Sequence, residues 1–160
     1  MTDQDQAGSD ERGVAARLFN GVWELLEKED RTVEDDDRML HMAHASRYHW
    51  GQVGTDANRS RGEWQCSRVY AVLGRAEPAL HHARRGLEIC EKNGFGDWDL
   101  AFAYESLARA SAVDGDLAAV RAYAEQALAV DIADNENRQL LIDDLSQIEV
   151  STGEAGPQMR

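Results

Sequence analysis

A stretch of this chain recurs about forty residues later, and that repeat limits the possible folds more than any other feature. Residues 68–74 read RVYAVLG and residues 109–115 read RASAVDG, so Arg, Ala, Val and Gly recur at a constant offset of 41. The same offset pairs Ala83 with Ala124, Leu87 with Leu128 and Ile89 with Val130. An offset of 40 relates residues 40–43 to residues 80–83. Tandem copies of one helix-turn-helix unit explain these matches.

Apolar residues recur with helical spacing in seven segments, and Gly, Asn and Asp separate those segments. The predicted helices span residues 14–29, 34–52, 61–73, 78–92, 98–113, 117–132 and 135–148, with a polar loop at 55–60. Residues 1–12 and 151–160 are polar, and we expect both to be disordered tails. The prediction is therefore one all-α domain over residues 13–150, built from three antiparallel helical hairpins and a C-terminal capping helix.

Charge and composition exclude several classes of partner. The formal net charge is −13, and only the middle of the chain, residues 41–93, has an excess of basic residues. An acidic surface disfavours nucleic acid and anionic membranes, so neither is an expected partner. No apolar run approaches the roughly 18 residues of a membrane span, and the first residues lack the apolar core of a signal peptide. We therefore expect a cytoplasmic protein.

The repeats resemble the tetratricopeptide repeat family, in which two antiparallel helices pack through small residues and a glycine lies near the turn. The residues that carry the resemblance are Gly74 and Gly115 at the turns, Ala83, Ala124, Leu87 and Leu128 as packing positions, and Gly86 and Ala127 as the small residues at the closest helix contact. The period of 40–41 is longer than the usual 34 of that family. The resemblance implies a stacked helical fold and, by analogy, a scaffold that binds a peptide or protein segment.

In such stacks the first helix of each hairpin lines a concave groove. The residues that this places in the groove are Arg61, Trp64, Arg68, Phe102, Glu105 and Arg109. Arg68 and Arg109 are repeat-equivalent, so we expect them side by side. Two guanidinium groups beside an aromatic surface suit a carboxylate or phosphate on an apolar body. In the alternative interpretation, the two arginines pair with Glu105, Glu63 or helix C-terminal carbonyls and serve stability.

A second group of chemically versatile side chains falls mostly on the second predicted helix. Its members are His41, His44, Tyr48, His49, Trp50 and Tyr70. His41 and His44 share one helix face, but His49 points to another side, and there is no pair of His four apart with a Glu between them. The sequence thus predicts neither a metal site nor a cofactor. A small-molecule pocket with a general base is one hypothesis for this group, and structural histidines are the other.

Three functional hypotheses follow from the sequence. The first is a non-catalytic adaptor that binds a peptide or protein segment, with an anionic group as one option, and no motif of a known catalytic class argues against it. The second is a small-molecule-binding protein or enzyme that uses the histidine-rich region over residues 41–75. The third is a homodimer formed through the terminal helices.

Overall fold

The structure is a computed structural model that describes residues 2–148. These residues form seven α-helices and no strand, which confirms the all-α prediction. The helices are α1 (Asp3–Leu26), α2 (Val33–Val53), α3 (Asp56–Val72), α4 (Ala76–Asn93), α5 (Asp97–Asp114), α6 (Leu117–Ala129) and α7 (Asn135–Ser146). The predicted C-terminal tail, residues 151–160, lies outside the described residues.

Three helices end at a glycine in the left-handed conformation. Gly74, Gly94 and Gly115 have φ angles of 72°, 66° and 80°, which glycine adopts without strain. The N–H of the following residue reaches back to a carbonyl five residues earlier, as in the 2.9 Å bond from Arg75 N–H to the Tyr70 oxygen. These closures reverse the chain within a few residues, so each helix packs antiparallel to the next one. Gly74 and Gly115 thus hold the turn positions that the repeat predicts.

Two helices begin at least five residues earlier than the sequence pattern predicts, because side-chain caps start them. The Thr55 hydroxyl accepts a hydrogen bond from Asn58 N–H, and the Asn58 side chain accepts one from Thr55 N–H. This capping box starts α3 within the segment that we expected to be a loop. A matching box between Thr2 and Asp5 starts α1, so residues 3–12 are helical although the sequence predicts disorder.

Contacts with α2 hold the early part of α1 in place. The Arg12 guanidinium donates to the Val53 carbonyl at 2.5 Å, and the Glu11 carboxylate lies 3.1 Å from His49 Nδ1. Both contacts join residues about forty positions apart, so a local reading of the polar N-terminal composition does not reveal them.

The odd-numbered helices form a row in which α1, α3, α5 and α7 pack side by side. Side chains at comparable heights link successive members of the row. Gln65 on α3 donates to the Phe19 carbonyl of α1 at 2.9 Å, and Arg109 on α5 donates to the Asp144 carbonyl of α7 at 3.1 Å. Contacts between α3 and α5 follow the same order on both helices, from Arg61 with Asp99 to Arg68 with Glu105, so these two helices run parallel to each other. The relationship to tetratricopeptide repeats stays a prediction.

The apolar core consists of separate clusters between neighbouring helices. Val22, Met39 and Val69 belong to a cluster between α1, α2 and α3, and Phe102 and Leu141 belong to one that links α5, α6 and α7. Over residues 2–148, no helix has both the length and the apolar character that crossing a membrane requires.

Two buried glycines give a matched test of the packing. A methyl group at Gly86 would lie 3.6 Å from Glu63 Cβ and from the Ser60 carbonyl, which is ordinary contact. The contact therefore has room for alanine, the residue at the equivalent position 127. We expect Gly86→Ala to raise the free energy of unfolding by about 0.5–1 kcal/mol, because alanine favours a helix interior. Urea unfolding followed by circular dichroism measures the change.

The control for that test is Gly62→Ala on α3. Its methyl group would come 2.7 Å from Arg47 Cδ, whose guanidinium is bonded to Glu63. We expect it to lower stability by about 1–2 kcal/mol despite the same gain in helix propensity. Equal effects of the two substitutions would contradict the packing described here.

Candidate functional site

The row of odd-numbered helices carries a cleft of about 300 Å³, here named the aromatic cleft. Its lining residues are Trp23, Trp64, Arg68, Trp98, Phe102, Asn137, Leu140 and Asp144. Each helix of the row contributes to it, so the cleft exists only in the assembled stack. Leu140 is 51% exposed and marks the side of the cleft that α7 provides.

Aromatic rings in contact with one another make up most of the wall. The rings of Trp23 and Trp64 are 5.2 Å apart, and the edge-to-face pairs Trp64–Phe102 and Trp98–Phe102 have centroid distances of 5.8 and 6.2 Å. Phe102 is buried, whereas the three indoles are only half-buried. The wall thus presents preformed apolar surface that is held in place by ring packing.

A network of charged groups, here named the arginine network, lies beside this wall and is centred on Glu105. Glu105 is fully buried. Its Oε1 accepts a hydrogen bond from Arg109 Nε at 2.7 Å and forms an ion pair with Arg109 Nη2 at 2.6 Å. Its Oε2 accepts a hydrogen bond from the Trp64 indole at 3.3 Å. Arg68 Nη1 lies 3.5 Å from Glu105 Oε1 and 3.6 Å from Asp144 Oδ2. Two guanidinium groups and two carboxylates therefore balance each other.

Burial of the arginine network shifts the pKa values of its charged groups. Burial, together with the charge of Arg109, lowers the pKa of Arg68. Burial, together with the Glu105 carboxylate, raises the pKa of Asp144. Arg68 Nη1 is enclosed and lacks a hydrogen-bond partner among the described residues, so only the two long ion pairs compensate its charge.

Arg61 forms the neighbouring rim. Its guanidinium makes two hydrogen bonds to Asp99, at 2.9 and 3.1 Å, and lies 4.4 Å from the Trp98 ring centroid. The carboxylate and the indole together fix the guanidinium, so Arg61 orients a wall of the cleft.

The structure thus brings the six predicted groove residues together on α3 and α5. Arg68 and Arg109 are already paired with Glu105, and Arg109 also donates to a carbonyl near the end of α7, as the alternative interpretation proposed. The sequence analysis did not predict that α7 lines the cleft. The α7 residues in the lining are Asn137, Leu140 and Asp144. Their spacing of three and four residues marks one helix face, and that signal was present in the sequence.

The residues of the second predicted group separate into two places. His44 and Tyr70 meet in what is here named the imidazole cluster, where His44 Nε2 lies 2.8 Å from the Tyr70 hydroxyl. His82 on α4 stacks on Tyr70 at 5.6 Å and bonds to Glu63 at 2.7 Å. Arg47 donates to the other oxygen of Glu63 at 2.8 Å.

The other members of that predicted group lie elsewhere. His41 is exposed, and Tyr48, 63% exposed, packs against His49, which bonds to α1. Trp50 lies under Arg12 and lines a separate cleft of about 220 Å³, here named the Trp50 cleft. The remaining lining residues of that cleft are Ala16, Phe19, Asn20, Asn58 and Arg61. The six residues do not form one pocket, because the five on α2 point to different sides of that helix and Tyr70 on α3 meets only His44 among them.

The chemistry of the imidazole cluster favours structure over catalysis. Burial lowers the pKa of His44, and the nearby His82 lowers it further, whereas the charge of Glu63 acts in the opposite direction. Burial raises the pKa of the neighbouring Cys66 thiol to about 12, so the thiolate needed for nucleophilic attack is scarce. Among residues 2–148, no three His, Cys, Asp or Glu side chains are placed to hold a metal ion.

Comparisons of the chain with protein-family models, with curated proteins and with solved structures found no match. The geometry of the aromatic cleft is therefore the basis for a functional proposal.

Glu105→Gln tests the arginine network. The substitution keeps an acceptor for the Trp64 indole but leaves two buried arginines facing a single carboxylate. We expect the free energy of unfolding to fall by about 3 kcal/mol. Urea unfolding checks this, and Glu88→Gln is the control, because the exposed Arg85–Glu88 pair should contribute less than about 0.5 kcal/mol. A similar small loss in both variants would show that Glu105 does not organise the network.

The imidazole cluster gives a pH-dependence test. The unfolded chain protonates His44 near pH 6.5, whereas the folded chain resists protonation because the pKa of His44 is lowered. Stability should therefore fall as the pH drops below about 6.5. His44→Gln should flatten this part of the stability curve. His41→Gln should change it much less, because the charge of the exposed His41 is the smallest of the causes that shift the pKa of His44. The measurement is the free energy of unfolding of the unchanged protein and the two variants between about pH 7.5 and pH 5.5. Parallel curves for all three would contradict a lowered pKa of His44 as the cause of the pH dependence.

Proposed function

We propose that this protein is a non-catalytic scaffold that binds a peptide or protein segment along the row of odd-numbered helices. The aromatic cleft is the anchor of this site and receives a large apolar side chain of the segment. The observation that carries the proposal is the cleft itself: half-buried indoles on a rigid helical row leave apolar surface uncovered by the chain's own described residues.

The size of the cleft supports one large side chain as its occupant. A volume of about 300 Å³ lies at the lower end of the range for small-molecule sites, which is roughly 300–1,000 Å³. Buried aromatic side chains also dominate the energetics of known protein interfaces, where they fill pockets of the partner. A single anchoring side chain fits this cleft better than an extended cofactor does.

A second cleft beside the first supports a segment rather than a compact ligand. Arg61 lies over Trp98 of the aromatic cleft and also lines the Trp50 cleft. Phe19, which packs edge-on against Trp23 at 6.4 Å, joins the two walls on the side of α1. An extended chain laid across the row meets both clefts in turn. The resemblance to tetratricopeptide repeats, whose grooves hold peptides, agrees with this.

Selection of peptides tests the proposal. A random peptide library displayed on phage is selected against the full-length protein, and the affinities of the selected peptides are measured by calorimetry. Leu140→Glu places a carboxylate at the aromatic cleft on an exposed residue, so folding should be unaffected. We expect it to weaken binding by at least about tenfold, because the charge must be desolvated when an apolar side chain enters.

Ile142→Glu is the matched control. Ile142 lies two residues further along α7, is 41% exposed and does not line the cleft. We expect its peptide affinities to match those of the unchanged protein. Failure to select any peptide, or equal binding by the Leu140→Glu variant, would overturn the proposal.

A further inference from the structure

The polar groups of the aromatic cleft point to the charge of its occupant. Arg68, Asp144 and Asn137 are the polar side chains of its lining. Arg68 and Asp144 form an ion pair of 3.6 Å, and Arg68 also pairs with Glu105, which in turn holds Arg109. The cleft therefore has no excess of positive charge, although two arginines stand next to it.

A charged ligand is mismatched at this site whichever sign it carries. A carboxylate drawn towards Arg68 comes close to Asp144, and the buried Glu105 lies just behind. An ammonium group drawn towards Asp144 meets Arg68. In either case the ligand must give up its hydration while the charge that attracts it is already compensated.

An uncharged amide is matched by the same residues. A peptide unit has one N–H donor and one carbonyl acceptor. Among the lining residues, Arg68 and Asn137 carry donors, and Asp144 and Asn137 carry acceptors. Arg68 Nη1 is itself enclosed, whereas the Arg68 and Asp144 side chains as a whole are 16% and 15% exposed. The aromatic wall beside them suits an apolar side chain attached to that amide. A hydrocarbon without the amide would leave these polar groups facing apolar surface, which costs free energy.

We infer that the aromatic cleft is specific for an uncharged peptide unit that carries a large apolar side chain, taken from within a chain and not from its carboxyl terminus. This inference rests on the proposed function and names the ligand class of the same site. It replaces the anionic ligand that the pair Arg68 and Arg109 suggests from the sequence alone.

Three small probes with a phenyl ring in common test the inference. N-acetyl-phenylalaninamide is neutral, N-acetyl-phenylalanine is an anion at neutral pH, and phenethylamine is a cation. Binding is followed in proton–nitrogen correlation spectra through the four tryptophan indole N–H signals. Trp23, Trp64 and Trp98 line the aromatic cleft, whereas Trp50 lies in the Trp50 cleft and reports binding there separately.

We expect the neutral amide to shift the three cleft signals and leave Trp50 unchanged, with an affinity at least about tenfold above that of either charged probe. Two variants should change this preference. Asp144→Asn leaves the arginine network with one excess positive charge and should favour the anion. Leu140→Glu, on an exposed residue that does not risk folding, adds a negative charge and should favour the cation.

The outcomes separate this inference from the proposed function. Tighter binding of the anion or the cation by the unchanged protein, with the cleft signals responding, overturns the neutral-ligand inference and leaves the cleft as a binding site. A preference that stays the same in both variants also overturns it. Absence of any response of the cleft signals to all three probes, while selected peptides still bind in the library experiment, overturns the cleft specificity alone. If the peptides fail as well, the proposed function fails with it.

Discussion

The buried carboxylate of Glu105 is the interaction on which the rest of the site depends. It sits on α5, the helix with neighbours on most sides, and holds an indole and a guanidinium from α3 and a guanidinium from its own helix. Arg109 then reaches the backbone of α7, so one carboxylate connects three helices of the row. A buried charge of this kind is tolerated only when it is fully compensated. That requirement fixes the register of the three helices and, with it, the position of the aromatic wall.

Helix α3 divides two polar systems with different roles. Trp64 and Arg68 face the row and take part in the cleft, whereas Glu63 and Tyr70 face α2 and α4 and take part in the imidazole cluster. The imidazole cluster is occupied by its own hydrogen bonds and contains a His44 that burial keeps uncharged, so it behaves as a packed interior. The aromatic cleft has apolar surface left over. The histidine-rich region has its polar groups paired within the protein, whereas the aromatic cleft leaves apolar surface uncovered. This difference, and not the types of residue, identifies the cleft as the candidate binding surface.

Local signals predicted the helices but not all of their limits. Gly74 and Gly115 identified the turns because a left-handed helix end favours glycine. The start of α3 could have been predicted as well, since Thr55 and Asn58 form a capping pair with the usual spacing. Thr2 and Asp5 form a capping pair with the same spacing at the start of α1, but the helical state of residues 3–12 also depends on Val53 and His49 on another helix, which a local pattern does not show. The repeat offset of 41 has a direct structural counterpart, since Trp64 on α3 contacts Glu105 on α5 at that same offset.

The sequence by itself determined that this chain forms a series of helices with turns at fixed glycines, and that Arg61, Trp64, Arg68, Phe102, Glu105 and Arg109 lie on matching faces of two neighbouring helices. These properties follow from helical periodicity and the repeat, both of which are local or strictly regular. Only the tertiary structure decided that Glu105 and Asp144 neutralise the two arginines, that α7 completes the cleft and that the six residues of the histidine-rich region separate. Charge pairing depends on distances between helices, and a linear pattern does not contain those distances.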